Sequence, residues 1–172
     1  MKALKKIGLM SVICFLALNV SAQKDKSKRP SPPAQVTQEI NGTSVTIDYS
    51  RPSKRGRDVF GGLEAYGKVW RTGANESTWI EVSADVEVEG EKLAAGKYGL
   101  FTIPGKDEWT IIFNKKWDGW GAYEYKEADD VLRVKVKPAS TDEVVEMFSI
   151  DISESGDVSL AWDQTKVNFS IQ

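Results

Sequence analysis

The sequence predicts an all-β protein, a jelly-roll-like antiparallel β-sandwich of about nine strands. Three observations favour this fold class. Short segments that alternate apolar and polar residues recur along the chain, and turns rich in glycine and proline separate them. No segment beyond the N-terminus has the apolar spacing of an amphipathic helix. Such a pattern is typical of an antiparallel sandwich or barrel.

The N-terminus, residues 1–22, has the pattern of a secretory signal peptide. Three lysines precede an apolar run from Ile7 to Val20, and two small residues follow, ending at Ala22. The run is shorter than the roughly 20 residues that a membrane-spanning helix needs. We therefore expect an exported protein, periplasmic or secreted, with no integral membrane segment after cleavage.

Residues 23–33 lack large apolar side chains, which predicts a flexible linker, and a single β-sandwich domain is expected over residues 34–172. Its first element is a hairpin, because alternating segments flank Asn41-Gly42, the preferred two-residue turn. Further alternating segments, each predicted to be a strand, begin near Ile80, Lys97, Trp109, Val131, Met147, Val158 and Lys166.

The segment after the first hairpin, residues 51–78, is the main irregularity in this series of strands. It is rich in glycine and arginine and has no regular apolar period. Its large apolar side chains are too many for a disordered tail; they are Phe60, Leu63, Tyr66, Val69 and Trp70. Long connections in compact domains are usually functional or disordered. We therefore expect an ordered loop packed on the domain, and the first place to look for a site.

Residue usage excludes several chemistries. The chain has no histidine, so imidazole-based catalysis and histidine-ligated metals are impossible. Its only cysteine, Cys14, lies in the predicted leader, where Ile13 argues against a lipoprotein signal. The net charge is −2 and the leader removes only basic residues, so no nucleic-acid partner is expected. No pattern indicates a metal ion or a cofactor.

Three runs of this sequence resemble the motifs of a secreted bacterial family, domain of unknown function 2911 (DUF2911). They are YSRPSKRGRDVFGGLEAYGKVWRTGANEST, AGKYGLFTIPGKDEWTIIFNKKWDGWGAYEY and VLRVKVKP. The resemblance spans about Pro30 to Ile171. It implies a single exported β domain with no assigned activity, so no catalytic residue carries over.

Candidate ligand-binding residues come from two loops, residues 51–78 and 114–125, and the strand before the first. Arginine forks suit carboxylate or phosphate, and flat aromatic rings can stack on a sugar. The candidates are Tyr49, Arg51, Arg57, Trp70, Arg71, Asn75, Glu76, Trp117, Trp120 and Tyr123. The alternatives are structural: the arginines pair with Glu76, Asp58 or Glu64, and the aromatic residues cover the core.

These observations favour a non-enzymatic protein that binds a glycan, a small anion or an envelope partner through the two loops. One alternative is a carboxylate-based enzyme acting on cell-envelope carbohydrate, which requires two carboxyl groups in one cleft. A structural component of the envelope is the other. The sequence does not predict an oligomeric state.

Overall fold

The computed structural model describes residues 25–172, and the predicted signal peptide of residues 1–22 lies outside them. The described part is all-β and antiparallel, which confirms the predicted sandwich. Its ten strands are β1 (Pro33–Ile40), β2 (Thr43–Ser50), β3 (Trp79–Val82), β4 (Val86–Val88), β5 (Glu91–Leu93), β6 (Gly96–Ile103), β7 (Trp109–Asn114), β8 (Asp130–Val136), β9 (Pro138–Ile152) and β10 (Asp157–Ser170). Two short 3₁₀ turns, Lys26–Lys28 and Glu127–Asp129, complete the elements.

Two layers face each other. One is a six-stranded sheet with the order β1-β2-β3-β6-β7-β8. The other contains the long hairpin β9-β10 and the short hairpin β4-β5. These hairpins are joined, because Glu87 N–H donates to Gln172 O at 2.7 Å and Gln172 N–H donates back at 2.9 Å.

The first hairpin forms as predicted. Asn41 and Gly42 have φ values of 51° and 83°, the left-handed backbone that a type I′ turn requires at both central positions. The register then pairs Ile40 with Thr43 and continues to Pro33 opposite Ser50.

The strand boundaries differ from the prediction at several places. The strand β9 begins at Pro138 and not near Met147, and β5 was not predicted. Residues 80–88 alternate as one strand would, but the chain bends after Val82, so β3 joins the six-stranded sheet and β4 the opposite layer. Alternation specifies which side chains are buried, and Val82 and Val86 are both buried whichever sheet carries them. Conversely, the two strands predicted to begin near Val158 and Lys166 form a single strand, β10. Its pairing with β9 shifts register at Asp163, where φ is 56°.

The hydrophobic core lies between the layers and contains two tryptophans, Trp109 and Trp162, which are 2% and 1% exposed. Phe113 of the six-stranded sheet contacts Phe169 of β10 with ring centroids 6.1 Å apart. Among residues 25–172 we find no helix whose length and apolar character would let it cross a bilayer.

Candidate functional site

The first loop, residues 51–78 between β2 and β3, is ordered and joined to both layers. Its Pro52 O accepts from Phe148 N–H of β9 at 2.9 Å. Trp70 exchanges two backbone hydrogen bonds with Thr102 of β6, at 2.7 and 2.9 Å. Inside, Phe60 packs on Trp109 at 4.8 Å between ring centroids. The loop therefore acts as a rigid part of the sandwich, as its apolar content predicted.

Two of the predicted site residues lie in the core at this loop. Trp70 is 3% exposed, stacks on Trp162 at 5.8 Å, and donates through Nε1 to Gly73 O at 3.0 Å. Tyr49 is 6% exposed, and its hydroxyl bonds to both the N–H and the C=O of Ile150. Burial raises the pKa of the Tyr49 phenol. Both rings are committed to packing.

The predicted arginines do not form one anion-binding pocket through their guanidinium groups. Arg51 Nε donates to Phe148 O at 3.1 Å. Arg57 donates to Lys54 O at 2.9 Å and to Ser53 O at 2.7 Å. Arg71 lies beside Gly121, and its buried Nε has no hydrogen-bond partner within residues 25–172. Arg51 and Arg57 thus pin the loop through backbone carbonyls, a partner that neither sequence-based alternative named.

Glu76 is paired with residues from the segment before β1. Arg29 Nη1 donates to both of its carboxylate oxygens, at 3.0 and 2.8 Å, and Lys26 Nζ lies 3.1 Å from Oε1. Burial alone would raise the pKa of Glu76, but these two cations outweigh burial and lower it to about 2. Next to it, Asn75 Nδ2 donates to Ser31 O at 2.9 Å. Residues 26–32, which we expected to be part of a flexible linker, therefore contact the first loop.

The second loop, predicted over residues 114–125, occupies the whole connection between β7 and β8, residues 115–129, and crosses the outer face of the six-stranded sheet. Gly99 of β6 makes the crossing possible, because a Cβ there would overlap with Lys116 O and lie 2.7 Å from the Phe101 ring. Beneath the loop, Phe101 and Ile112 are 1% and 0% exposed although they point away from the core between the layers. The glycine thus allows close contact between loop and sheet.

A polar network fixes the far end of the second loop to the sheet. Asp130, which starts β8, accepts from Asn114 Nδ2 at 2.7 Å, from the Tyr125 hydroxyl at 2.8 Å and from Arg133 Nε at 2.6 Å. Burial, together with the hydrogen bond to Asp130, raises the pKa of Tyr125 to about 12. Asn114 Oδ1 in turn accepts from Lys116 N–H at 2.8 Å.

The two loops contact each other. Ser77 N–H donates to Gly119 O and Gly121 N–H donates to Asn75 O, both at 2.9 Å. The Ser77 hydroxyl also donates to Gly121 O at 2.7 Å. This pairing places Trp120, 53% exposed, across from Glu76. Tyr123, 87% exposed, lies beside Gly121.

A cleft of about 200 Å³ lies where both loops meet β2, β3 and the segment before β1. Two indoles, Trp79 from β3 and Trp117 from the second loop, line it. The ammonium of Lys97 lies 3.3 Å from the Trp79 ring centroid and 4.5 Å from that of Trp117. Asp48 stands opposite Trp79 in the β2-β3 register and also lines the cleft. The cleft thus combines flat apolar rings with a hydrogen-bond acceptor.

Sequence reasoning missed three residues here, namely Asp48, Trp79 and Lys97. A signal was present for Trp79, because alternation places it on the same face as Glu81, which is exposed to solvent. A tryptophan on a solvent face indicates either a covering segment or a ligand. Lys97 carried no such signal, since its contact with Trp117 depends on the path of the second loop.

The family comparison covers both loops. The model for "Protein of unknown function (DUF2911)" matches residues 31–171, nearly all of the described chain. The chain belongs to this family. No curated protein and no solved structure matches it. The DUF2911 match begins within the segment that contacts the first loop and covers both loops, so the cleft lies almost wholly inside the family domain.

Proposed function

We propose that this DUF2911 protein is an exported, non-enzymatic binding domain that takes a glycan in the cleft between its two loops. The observation that carries the proposal is the cleft itself, with Trp79 and Trp117 as flat walls and Asp48 as an acceptor beside them. Indoles supply contact area to the apolar faces of sugar rings, and a carboxylate accepts from their hydroxyl groups.

A glycan fits these contacts better than a small anion does. Arg51 donates through Nε, and Arg57 through Nε and Nη2, to backbone carbonyls, and neither arginine lines the cleft. Two carboxylates, those of Asp48 and Asp118, line the cleft in addition to Glu76. An anion entering there would meet like charges at close range.

Binding is also better supported than carboxylate catalysis. A general acid needs a pKa near the working pH. Glu76 is held at a pKa of about 2 by Arg29 and Lys26, so it stays ionised. Asp118 is exposed, and its hydrogen bond with Lys116 lowers its pKa below the ordinary value of an aspartate. Among residues 25–172 no group of acidic side chains forms a metal-binding cluster either.

Calorimetric titration with a panel of neutral oligosaccharides and small anions tests this proposal. Trp117→Ala should weaken glycan binding about tenfold, because one stacked aromatic contact contributes about 0.5–1.5 kcal/mol beyond its area burial. Tyr66→Ala is the matched control, because Tyr66 is exposed to a similar degree, 39% against 38%, but does not line the cleft.

Silence of the whole glycan panel, or equal losses in Trp117→Ala and Tyr66→Ala, would contradict a glycan site in the cleft. Export is tested separately, by recovering the protein from the periplasm or medium and determining its N-terminal residue. We expect cleavage after Ala22.

A further inference from the structure

We propose that the cleft selects a sugar that carries a free ammonium group, an amino sugar, and that Asp48 is the carboxylate that receives this group. The inference rests on the proposed function, because it assumes that a sugar ring occupies the cleft. It adds which class of sugar is preferred and which residue makes the choice.

The first argument is the incomplete pairing of Asp48. Its carboxylate is partly buried, and its hydrogen bond within residues 25–172 comes from Gln35 Nε2 at a long 3.4 Å. No cation of the described chain lies within ion-pair distance of it. Burial raises the pKa of Asp48, so its charged form is under-stabilised in the free protein. A ligand that brings a positive donor would recover that stabilisation.

The second argument is that the neighbouring charges already have partners. Lys26 and Arg29 are paired with Glu76. Lys116 lies 2.9 Å from Asp118. The charges that act on Asp48 are those of Lys26, Lys97 and Glu76, and none of them contacts it. Asp48 is thus the cleft carboxylate that has no direct ion-pair partner among the described residues.

The third argument is that the adjacent aromatic walls favour cations. Trp79 and Trp117 hold the Lys97 ammonium between their faces, an arrangement in which the ring quadrupoles attract positive charge. Lys97 also lies 3.8 Å from Glu81, so its own charge is partly compensated. Because Asp48 is the cross-strand neighbour of Trp79, an ammonium on Asp48 would lie beside the same indole.

The size of the cleft limits the ligand. Its volume of about 200 Å³ is below the roughly 300 Å³ at which sites for drug-sized molecules begin. The cleft therefore holds one sugar unit, and selectivity must come from the substituents of that unit.

The test compares three monosaccharides with the same ring: glucosamine, N-acetylglucosamine and glucose, each titrated calorimetrically into the purified protein at neutral pH. We expect glucosamine to bind about tenfold tighter than the other two, the factor that one charge-assisted hydrogen bond provides. Asp48→Asn should abolish this preference, so that all three sugars bind the variant with affinities within about twofold of one another. Asp118→Asn, which alters an exposed carboxylate of the same cleft, should keep the preference.

Thermal melting separates loss of binding from loss of folding. Asp48→Asn removes an under-stabilised charge, so its melting temperature should be equal to or above that of the parent. Equal binding of glucosamine and glucose by the parent protein would overturn the inference and leave the proposed glycan function standing. A glucosamine preference that survives in Asp48→Asn would overturn the role of Asp48. Failure of all three sugars, together with the glycan panel, would overturn both proposals.

Discussion

Glu64→Gln is expected to stabilise the protein at neutral and alkaline pH but not at acidic pH. Glu64 lies in the first loop, where its N–H donates to Val59 O and its C=O accepts from Gly61 N–H, both at 2.8 Å. This backbone pairing holds the carboxyl in a largely buried position. Burial raises its pKa to about 7, and the charges of Arg71 and Arg57 offset burial only in part. Neither arginine reaches ion-pair distance of it in the described chain.

The magnitude follows from the difference between the ordinary and the native pKa. An increase from 4.5 to about 7 corresponds to about 3 kcal/mol if the group is fully shielded from water. Partial exposure of the side chain reduces this to about 1–2 kcal/mol. Between these two pH values the native state binds more protons than the unfolded state, so stability falls as pH rises through this window. The deficit is complete above about pH 7 and absent below about pH 4.

Urea unfolding followed by tryptophan fluorescence measures this difference at about pH 4 and about pH 8. The free energy of unfolding of Glu64→Gln should exceed that of the parent by about 1–2 kcal/mol at the higher pH and equal it at the lower pH. Glu154→Gln, at an exposed turn position, is the control and should change little at either pH. If Glu64→Gln and the parent have the same free energy of unfolding at both pH values, the Glu64 carboxyl is exposed to water and the reasoning from its burial is refuted.

Three further predictions concern how the loops are held. Gly99→Ala should lower the free energy of unfolding in urea by about 1–3 kcal/mol and alter the fluorescence of Trp117, because the new methyl group displaces the second loop at Lys116. An unchanged fluorescence spectrum would contradict the close contact between the second loop and the sheet. Asp130→Asn should lower the free energy of unfolding by about 2–3 kcal/mol, since three donors lose a charged acceptor. Asp142→Asn, at an exposed position, is the control, and a smaller loss in Asp130→Asn than in this control would contradict the network. Glu76→Gln should lower the free energy of unfolding by about 1 kcal/mol at neutral pH, and this difference from the parent should disappear as pH falls from about 5 to about 2. Measuring the free energy of unfolding of both proteins across this pH range tests the prediction.

The fold was predictable where the signal is local. Asn41-Gly42 specifies its turn through its own backbone preferences, and the alternation around it fixes the register of β1 and β2. The change of sheet between β3 and β4 was not predictable, because Val82 and Val86 follow the same apolar and polar alternation in either layer. Which sheet a strand joins depends on partners far along the chain, such as Ile171 for Val88.

The candidate site was predictable only as a region. The first loop was expected to be ordered and packed on the domain, and it is. Its contact with the second loop, through Ser77 and Gly119, was not predicted. The individual roles were not predictable, because a side chain's partner can lie far away in sequence. Arg51 donates to Phe148, and Glu76 pairs with Arg29 in a segment whose composition predicted flexibility. No local pattern distinguishes an arginine that faces a ligand from one that bonds to a carbonyl.

The division of aromatic residues between core and cleft supports binding over mere packing. In the first loop, Trp70 is buried against Trp162, which keeps the loop rigid. In the second loop, Trp117 remains partly exposed although Gly99 lets the loop lie close against the sheet. A loop that served only to cover the sheet would gain by burying that indole, since a large aromatic side chain contributes the most free energy when removed from water. Both loops are pinned on each side of the cleft, so the ligand that we propose there would meet preformed walls and little ordering entropy would be lost on binding.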